Sequence, residues 1–170
     1  MDPPVEKIGV VLVGHGVPAT DCPARLVGEL MALEWSGGVG QPQRIAQLDA
    51  QIRDCPLHEG NDPYKEGFER LAAVLRPLLP VGLFVVAYNE FCRPSVPEGI
   101  EELIRQGAIR VLVVPTMMTP GGVHSEVDIP RAIRQVQEKY PDVSIEYLWP
   151  FDLKQVAALL ASQVKRTLEK

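Results

Sequence analysis

Long apolar runs, surplus basic charge and closely spaced cysteine pairs are all missing from this sequence. No stretch approaches the ~20 apolar residues that cross a bilayer as a helix, so no membrane segment is expected. Lys and Arg number 17 against 22 Asp and Glu, a net charge of −5. A surface of that sign disfavours nucleic acid as the main partner, because phosphate binding needs cations. It leaves room for an anionic small molecule held by a local Arg or Lys. The three cysteines, Cys22, Cys55 and Cys92, are far apart, odd in number and form no C-x-x-C pair; a reduced cytoplasmic setting is the expectation. The segment Met1–Lys7 has neither the basic start nor the separate apolar core of a secretory leader. No G-x-x-x-x-G-K-[ST] phosphate loop occurs, so no nucleotide is expected. Internal repeats and low-complexity tracts are absent as well.

What is present is an ordinary globular composition, 46% hydrophobic and 23% charged over 170 residues, which predicts a single domain over residues 1–170. Four segments read as strands. Ile8–Val13, Leu83–Tyr88 and Val111–Pro115 are continuous apolar runs rich in β-branched residues, the mark of strands buried on both faces. Val143–Leu148 alternates, as an edge strand does. Helical patterns fill the gaps. Tyr64–Leu79 puts Phe68, Leu71, Ala72, Leu75 and Leu78 on one stripe. Ser95-Val96-Pro97-Glu98 is a capping box that opens a helix running to about Gln106, stopped by Gly107. A further helix runs from Ser125 or Asp128 to Lys139, and the last from Asp152, its N-cap, to Leu168. Strands alternating with helices predict a four-stranded parallel sheet flanked by helices on both faces, of flavodoxin-like topology. Residues 34–63 interrupt the rhythm and read as an insertion, with a flexible Trp35–Pro42 stretch and a short helix over Arg44–Arg53.

In open α/β sheets ligands bind beyond the carboxyl ends of the strands. The loops there carry Gly14-His15-Gly16, Asn89 to Arg93, Thr116 to Ser125, and Trp149 to Phe151. Two of the three histidines, His15 and His124, fall in these loops with Glu90; His58 sits in the insertion. Two imidazoles and a carboxylate suit a borderline transition metal such as Co(II), Ni(II) or Fe(II), and neutral imidazole also accepts protons near neutral pH. Each residue has a plainer alternative. His15 and His124 could be loop histidines bonded to backbone, Glu90 a solvated carboxylate or helix-cap partner, and Arg93 an ordinary surface cation rather than a carboxylate anchor. Met117 and Met118 could line a flat pocket or fill a strand end, and Trp149 and Phe151 could cover a ligand or close the core. Cys92 reads as a small buried apolar residue, Ser95 as an N-cap and His58 as surface. The run Gly14-x-Gly16-x-x-Ala19 also meets the dinucleotide fingerprint, but no acidic residue follows at the second strand's end and Pro18 and Pro23 disturb the helix it needs. A histidine phosphatase would want Arg, not Gly14, before its His.

These loops also carry a family resemblance. Gly14-His15-Gly16 after an apolar strand, Asn89-Glu90-Phe91 with Pro94-Ser95-Val96-Pro97-Glu98, and Val113-Val114-Pro115 with Gly121-Gly122-Val123-His124 and Asp128-Ile129-Pro130 resemble the class II chelatases of the CbiX and sirohydrochlorin cobaltochelatase group. The resemblance spans residues 8–20 and about 82–168. It implies an ATP-independent lyase that inserts a divalent metal into a sirohydrochlorin-type tetrapyrrole, as in cobalamin biosynthesis, with cobalt the first choice and nickel and iron the alternatives. It implies His15 and His124 as the metal- and proton-handling pair with Glu90 facing them. Arg93, Met117, Gly121, Gly122 and Trp149 are the candidate substrate contacts. It also implies a homodimer, because short members carry one α/β unit where longer ones carry two. The competing reading is a metal or tetrapyrrole carrier without turnover.

Overall fold

A computed structural model of the chain describes residues 4–36 and 40–169, with the Glu6 side chain left aside. Met1–Pro3 of the segment read for a secretory leader and residues 37–39 of the stretch expected to be flexible lie outside the described residues. Four parallel strands, β1 (Ile8–Gly14), β2 (Leu83–Tyr88), β3 (Arg110–Pro115) and β4 (Ser144–Tyr147), stand in the order β2-β1-β3-β4. The chain therefore reverses direction across the sheet between β1 and β3, the kind of switch point at which such sheets bind ligands. Register places Gly14 opposite Tyr88, and Val13 opposite Pro115. The loops after β1, β2 and β3 thus leave the sheet at one level.

Side chains alternate across the strands. Val11, Val13, Val85, Val111 and Val113 face one side, where they meet α4 (Val96–Arg105) and α5 (Ile129–Lys139) through Ile100, Leu103, Ile129, Ile133 and Val136. Leu12, Phe84, Val86 and Val114 face the other, against Phe68 and Ala72 of α3 (Pro63–Leu75). Each such aliphatic side chain contributes ~1.5–3 kcal/mol when fully buried, so the β1 run, central and covered twice, is the main anchor. Helix ends follow the sequence signals. Ser95 and Glu98 form the reciprocal capping box of α4, Gly107 takes φ +95° just beyond its end, and Asp152 caps α6 (Leu153–Leu168) by accepting from the Lys154 N–H.

Two expectations need correction. The stripe assigned to the Tyr64–Leu79 helix is narrower than its spacing suggests. Phe68 and Ala72 are buried, whereas Leu71 is exposed on the outer side of α3; Leu78 is exposed as well, because α3 ends at Leu75 and a 3₁₀ turn over Arg76–Leu78 changes the phase. The cysteines are not all free: Cys22 and Cys55 form a disulfide across a separation of 33 residues, and only Cys92 is a free thiol among the described residues. Linear distance misleads here because α1 (Ala24–Trp35) and α2 (Pro42–Arg53) fold back on each other and bring their outer ends together. Within residues 34–63 the short helix expected over Arg44–Arg53 is present as α2, which begins two residues earlier. The α1–α2 hairpin has a small core of its own, built on Leu30, Leu48 and Ile52, with Ala19, Cys22 and Phe91 packed in.

The helix α6 stands apart. It has no buried residue, and Leu153, Leu159, Leu160, Val164 and Leu168 are all exposed. Among the described residues no helix is long and apolar enough to cross a membrane.

Candidate metal centre

The site begins as a continuation of the sheet. Beyond the last strand residues, the Asn89 N–H donates to the Gly14 carbonyl at 2.9 Å and the Glu90 N–H to the His15 carbonyl at 2.8 Å. These two bonds tie the loop after β2 to the loop after β1 just past the end of the ladder and set His15 beside Glu90. Such an approach requires a glycine next to His15. Gly16 has φ +90°, and a Cβ there would lie 1.9 Å from the Glu90 carbonyl oxygen. Phe91 follows at φ +59°, the one non-glycine residue with positive φ among those described, and sends its ring into the α1–α2 core.

Each imidazole is oriented through its far nitrogen. His15 Nδ1 lies 2.6 Å from the Gly16 carbonyl oxygen. A carbonyl only accepts, so Nδ1 carries the proton and Nε2 keeps its lone pair. The His15 N–H donates to the Tyr64 hydroxyl at 2.7 Å. His124 opens a π-helical turn, His124–Asp128, which places Asp128 below it. Asp128 Oδ2 is 2.9 Å from His124 Nδ1; the Asn89 side-chain NH2 lies at the same distance from that nitrogen but would need the opposite tautomer, and the charged carboxylate is the stronger partner. The carboxylate selects the same tautomer, with Nε2 free. Histidines that ligate metals are commonly held this way.

Both free nitrogens face one carboxylate. Glu90 Oε2 is 3.9 Å from His15 Nε2 and 3.8 Å from His124 Nε2, and the imidazole rings are 4.7 Å apart at 83°. Ligand atoms of the three residues lie within 4.8 Å of one another. Nitrogen and oxygen ligands bind first-row metals at about 2.0–2.2 Å, so one ion fits among them after small side-chain adjustments. The three are partly exposed, leaving the remaining coordination positions open to a ligand from solvent.

They sit in a cleft of about 660 Å³ whose apolar wall includes Met31, Trp35, Ile45, Phe91 and Val123. Glu34, Asp128 and Arg131 supply further charge. Glu34 is held above the usual carboxylate range by partial burial and by the negative fields of Glu90, Asp49 and Asp128, against an opposing pull from His124. This surplus of carboxylates favours a cation. Arg131 Nη1, 3.6 Å from Asp128 Oδ1, is the one Arg or Lys among the residues lining the cleft.

His15, Glu90 and His124, the three residues read as catalytic, are brought together. The other candidates are elsewhere. Arg93 is paired with Asp54 and Glu98 on the outer flank. Met117 packs against the main core. The Gly121 N–H donates to Glu126 at 3.1 Å, and the Gly122 carbonyl accepts from Ser125 Oγ at 3.2 Å, so both glycines shape the turn that presents His124. Trp149 stacks on Tyr147 and donates from Nε1 to Glu126. Cys92 is buried, its thiol within reach of the Val17 carbonyl and Asp62, and burial pushes it up to about 11. His58 pairs with Asp21 at 2.7 Å. Sequence reasoning passed over Asp128 as a partner, although its place four residues after His124 on a helical segment was a readable signal. Asn89 was placed at the right sheet edge without a role, and Glu34 and Arg131 carried no such signal, because only the fold turns them toward the cleft.

The family model described as CbiX matches residues 60–167. A sirohydrochlorin ferrochelatase of Priestia megaterium is 31% identical over 129 residues, 74% of this chain and 47% of that protein. A sirohydrochlorin cobaltochelatase of the same organism is 34% identical over 100 residues, 59% of this chain and 32% of that protein. The chain thus spans half or less of the length of these relatives. Among solved structures, a putative cobalamin biosynthesis CbiX protein from Marinobacter aquaeolei VT8 superposes with a TM-score of 0.57 at 19% identity, covering 95% of this chain and 98% of that one. At that identity the likeness speaks for the fold, here at matching length.

Proposed function

Because the chain belongs to the CbiX family, we propose that it inserts a divalent metal ion into a sirohydrochlorin-type tetrapyrrole at the His15–Glu90–His124 cluster. The observation that carries this reading is the convergence of two imidazole nitrogens and one carboxylate within 4.8 Å on an open cleft. The metal is a substrate. His15 and His124 hold it through Nε2 while the macrocycle lies against the apolar wall. As the metal enters, the two pyrrole N–H protons leave: M²⁺ plus the free-base macrocycle gives the metallated macrocycle and two H⁺. Glu90, touching neither histidine closely, is placed to accept a proton and pass it to water. An imidazole that has taken up a proton cannot ligate, so activity falls at acid pH. No nucleotide takes part.

Cobalt is the metal we put first, with iron and nickel behind it; relatives named for cobalt and for iron both resemble this chain. Arg131, rather than Arg93, is the cation placed to meet a substrate carboxylate, since guanidinium forks bind carboxylates well. We further propose a homodimer in the cytoplasm, with the uncovered face of α6 in the interface. In that compartment Cys22 and Cys55 would spend much of their time as thiols.

The test is a multiple-turnover absorbance assay with purified protein, sirohydrochlorin and Co(II), Fe(II) or Ni(II). The expected result is metallation above the spontaneous rate, lost in His124→Ala. Stoichiometric binding without rate enhancement would instead identify a carrier.

A further inference from the structure

Arg53 lies at the end of α2, outside the region matched to the family, yet its side chain reaches the loop that carries Glu90. Its Nη1 lies within hydrogen-bonding distance of the Cys92 carbonyl and 3.5 Å from that of Tyr88, and its Nη2 donates to the Asn89 carbonyl at 2.7 Å. The Nε–H donates to the Asp49 carboxylate, 2.8 Å from Oδ2. The side chain is 8% exposed. One planar guanidinium thus spans three carbonyls that bracket Glu90 on both sides. An ammonium, as a compact point charge without the planar fork, cannot reproduce that spread. The segment it grips contains Phe91 at φ +59°, a conformation that a non-glycine residue keeps only when its surroundings enforce it. Phe91 is also packed into the α1–α2 core, so the hairpin holds this loop by a ring on one side and by a charged fork on the other.

We infer that Arg53 is a positioning residue of the metal centre, fixing the Asn89–Cys92 backbone so that Glu90 meets the two histidine nitrogens. The α1–α2 hairpin is on this view a brace for the ligand loop, closed at its base by Cys22–Cys55. The inference rests on the metal-site reading above but not on turnover.

The experiment uses the full chain and Co(II) alone as probe, followed by its visible d–d absorption, with Arg53→Lys, Glu90→Gln and the double variant. Loosened support of a ligand lowers metal affinity by about 10–100-fold. Arg53→Lys should therefore weaken Co(II) binding by about tenfold or more, and the double variant should bind no more weakly than Glu90→Gln. Penalties that multiply would mean that Arg53 acts independently of Glu90 and would overturn the inference; so would wild-type affinity in Arg53→Lys. Amide exchange without metal supplies a second readout. The Glu90 N–H should exchange at least tenfold faster in Arg53→Lys, while Leu48 and Ile52 in the hairpin core stay protected. Equal acceleration at all three amides would show a merely structural role. Should Arg53→Lys fold poorly, Asp49→Asn loosens the same guanidinium from an accessible position and should give the same Glu90-specific exchange. If the wild-type protein binds Co(II) but metallates nothing, the chelatase reading fails while the Arg53 result stands on affinity and exchange.

Discussion

Asp128 Oδ2 lies 2.9 Å from His124 Nδ1, four residues further along the turn that His124 opens. The carboxylate therefore fixes the imidazole with its other nitrogen toward Glu90. Removing it in Asp128→Ala should lower Co(II) affinity by about 10–100-fold and let the His124 ring sample both tautomers, visible as a change in its ¹⁵N shifts. The melting temperature should move little, because Asp128 is partly exposed. A variant that binds Co(II) like wild type would show that Asp128 does not set the tautomer, because the Asn89 NH2 left at Nδ1 would favour the opposite one.

Gly16→Ala should be severe for its size. The added Cβ meets the Glu90 carbonyl at 1.9 Å, and the residue must keep φ +90°. A non-glycine residue held in such a sparsely populated conformation costs about 1–3 kcal/mol before the clash is counted. Urea unfolding should show at least that loss, and the assay little remaining metallation. Gly28→Ala is the control, because nothing lies within 4 Å of an added Cβ there.

Thiol chemistry separates the three cysteines. With the disulfide formed, the native protein should react with no equivalent of Ellman's reagent at pH 8, because Cys92 is buried and its thiol is pushed up to about 11; denaturation should release one thiol. After reduction the unfolded chain should give three. The Cys22–Cys55 link closes a loop over a separation of 33 residues, worth about 3–4 kcal/mol in a chain-entropy account. Reduction should lower the midpoint of unfolding accordingly, and rapid native labelling of Cys92 would contradict its burial.

His58 is raised above its ordinary 6.5, first by its hydrogen bond with the Asp21 carboxylate and then by the Glu59 carbonyl. Asp21 is lowered below 3.8 by the same bond and by Asn61. The raised histidine adds stability that is complete below 6.5 and fades as pH climbs through its folded value. The lowered carboxylate adds stability that is present above 3.8 and fades as pH falls through its own. Between those limits the pair works in full, though both partners are exposed and the effect is small. In an NMR titration Asp21→Asn should bring His58 back toward 6.5 and flatten the pH dependence of the melting temperature between pH 6 and 8. An unchanged His58 midpoint would mean that the bond does not persist in solution.

Much of the sheet and part of the site were legible in the sequence. Leu83–Tyr88 was read to the residue, because a buried parallel strand is a continuous apolar run with few competing explanations. The Ser95–Glu98 box and the Asp152 cap were read from local hydrogen-bonding chemistry alone. His15, Glu90 and His124 were legible because strand ends locate loops, and loops at one sheet edge meet. The misreadings share a cause. Arg93 sits three residues from Glu90, yet the turn at Phe91 sends it to the outer flank. Arg53 was taken only as the end of a short helix, since which carbonyls a side chain finds 35 residues away is decided by packing. Cys22 and Cys55 looked unrelated because nothing local announces that two helices will close on each other.

His15 and Glu90 are joined by a backbone hydrogen bond just past the ends of β1 and β2, so their main chains are tied to the rigid edge of the sheet. His124 is hung from a π-helical turn instead, a looser winding than the α-helix after it. The two histidines therefore owe their positions to separate parts of the fold, one to a backbone bond beside the sheet and one to the turn. On the chelatase reading proposed above, the turn from His124 to Asp128 is where a preference for one metal over another would be written.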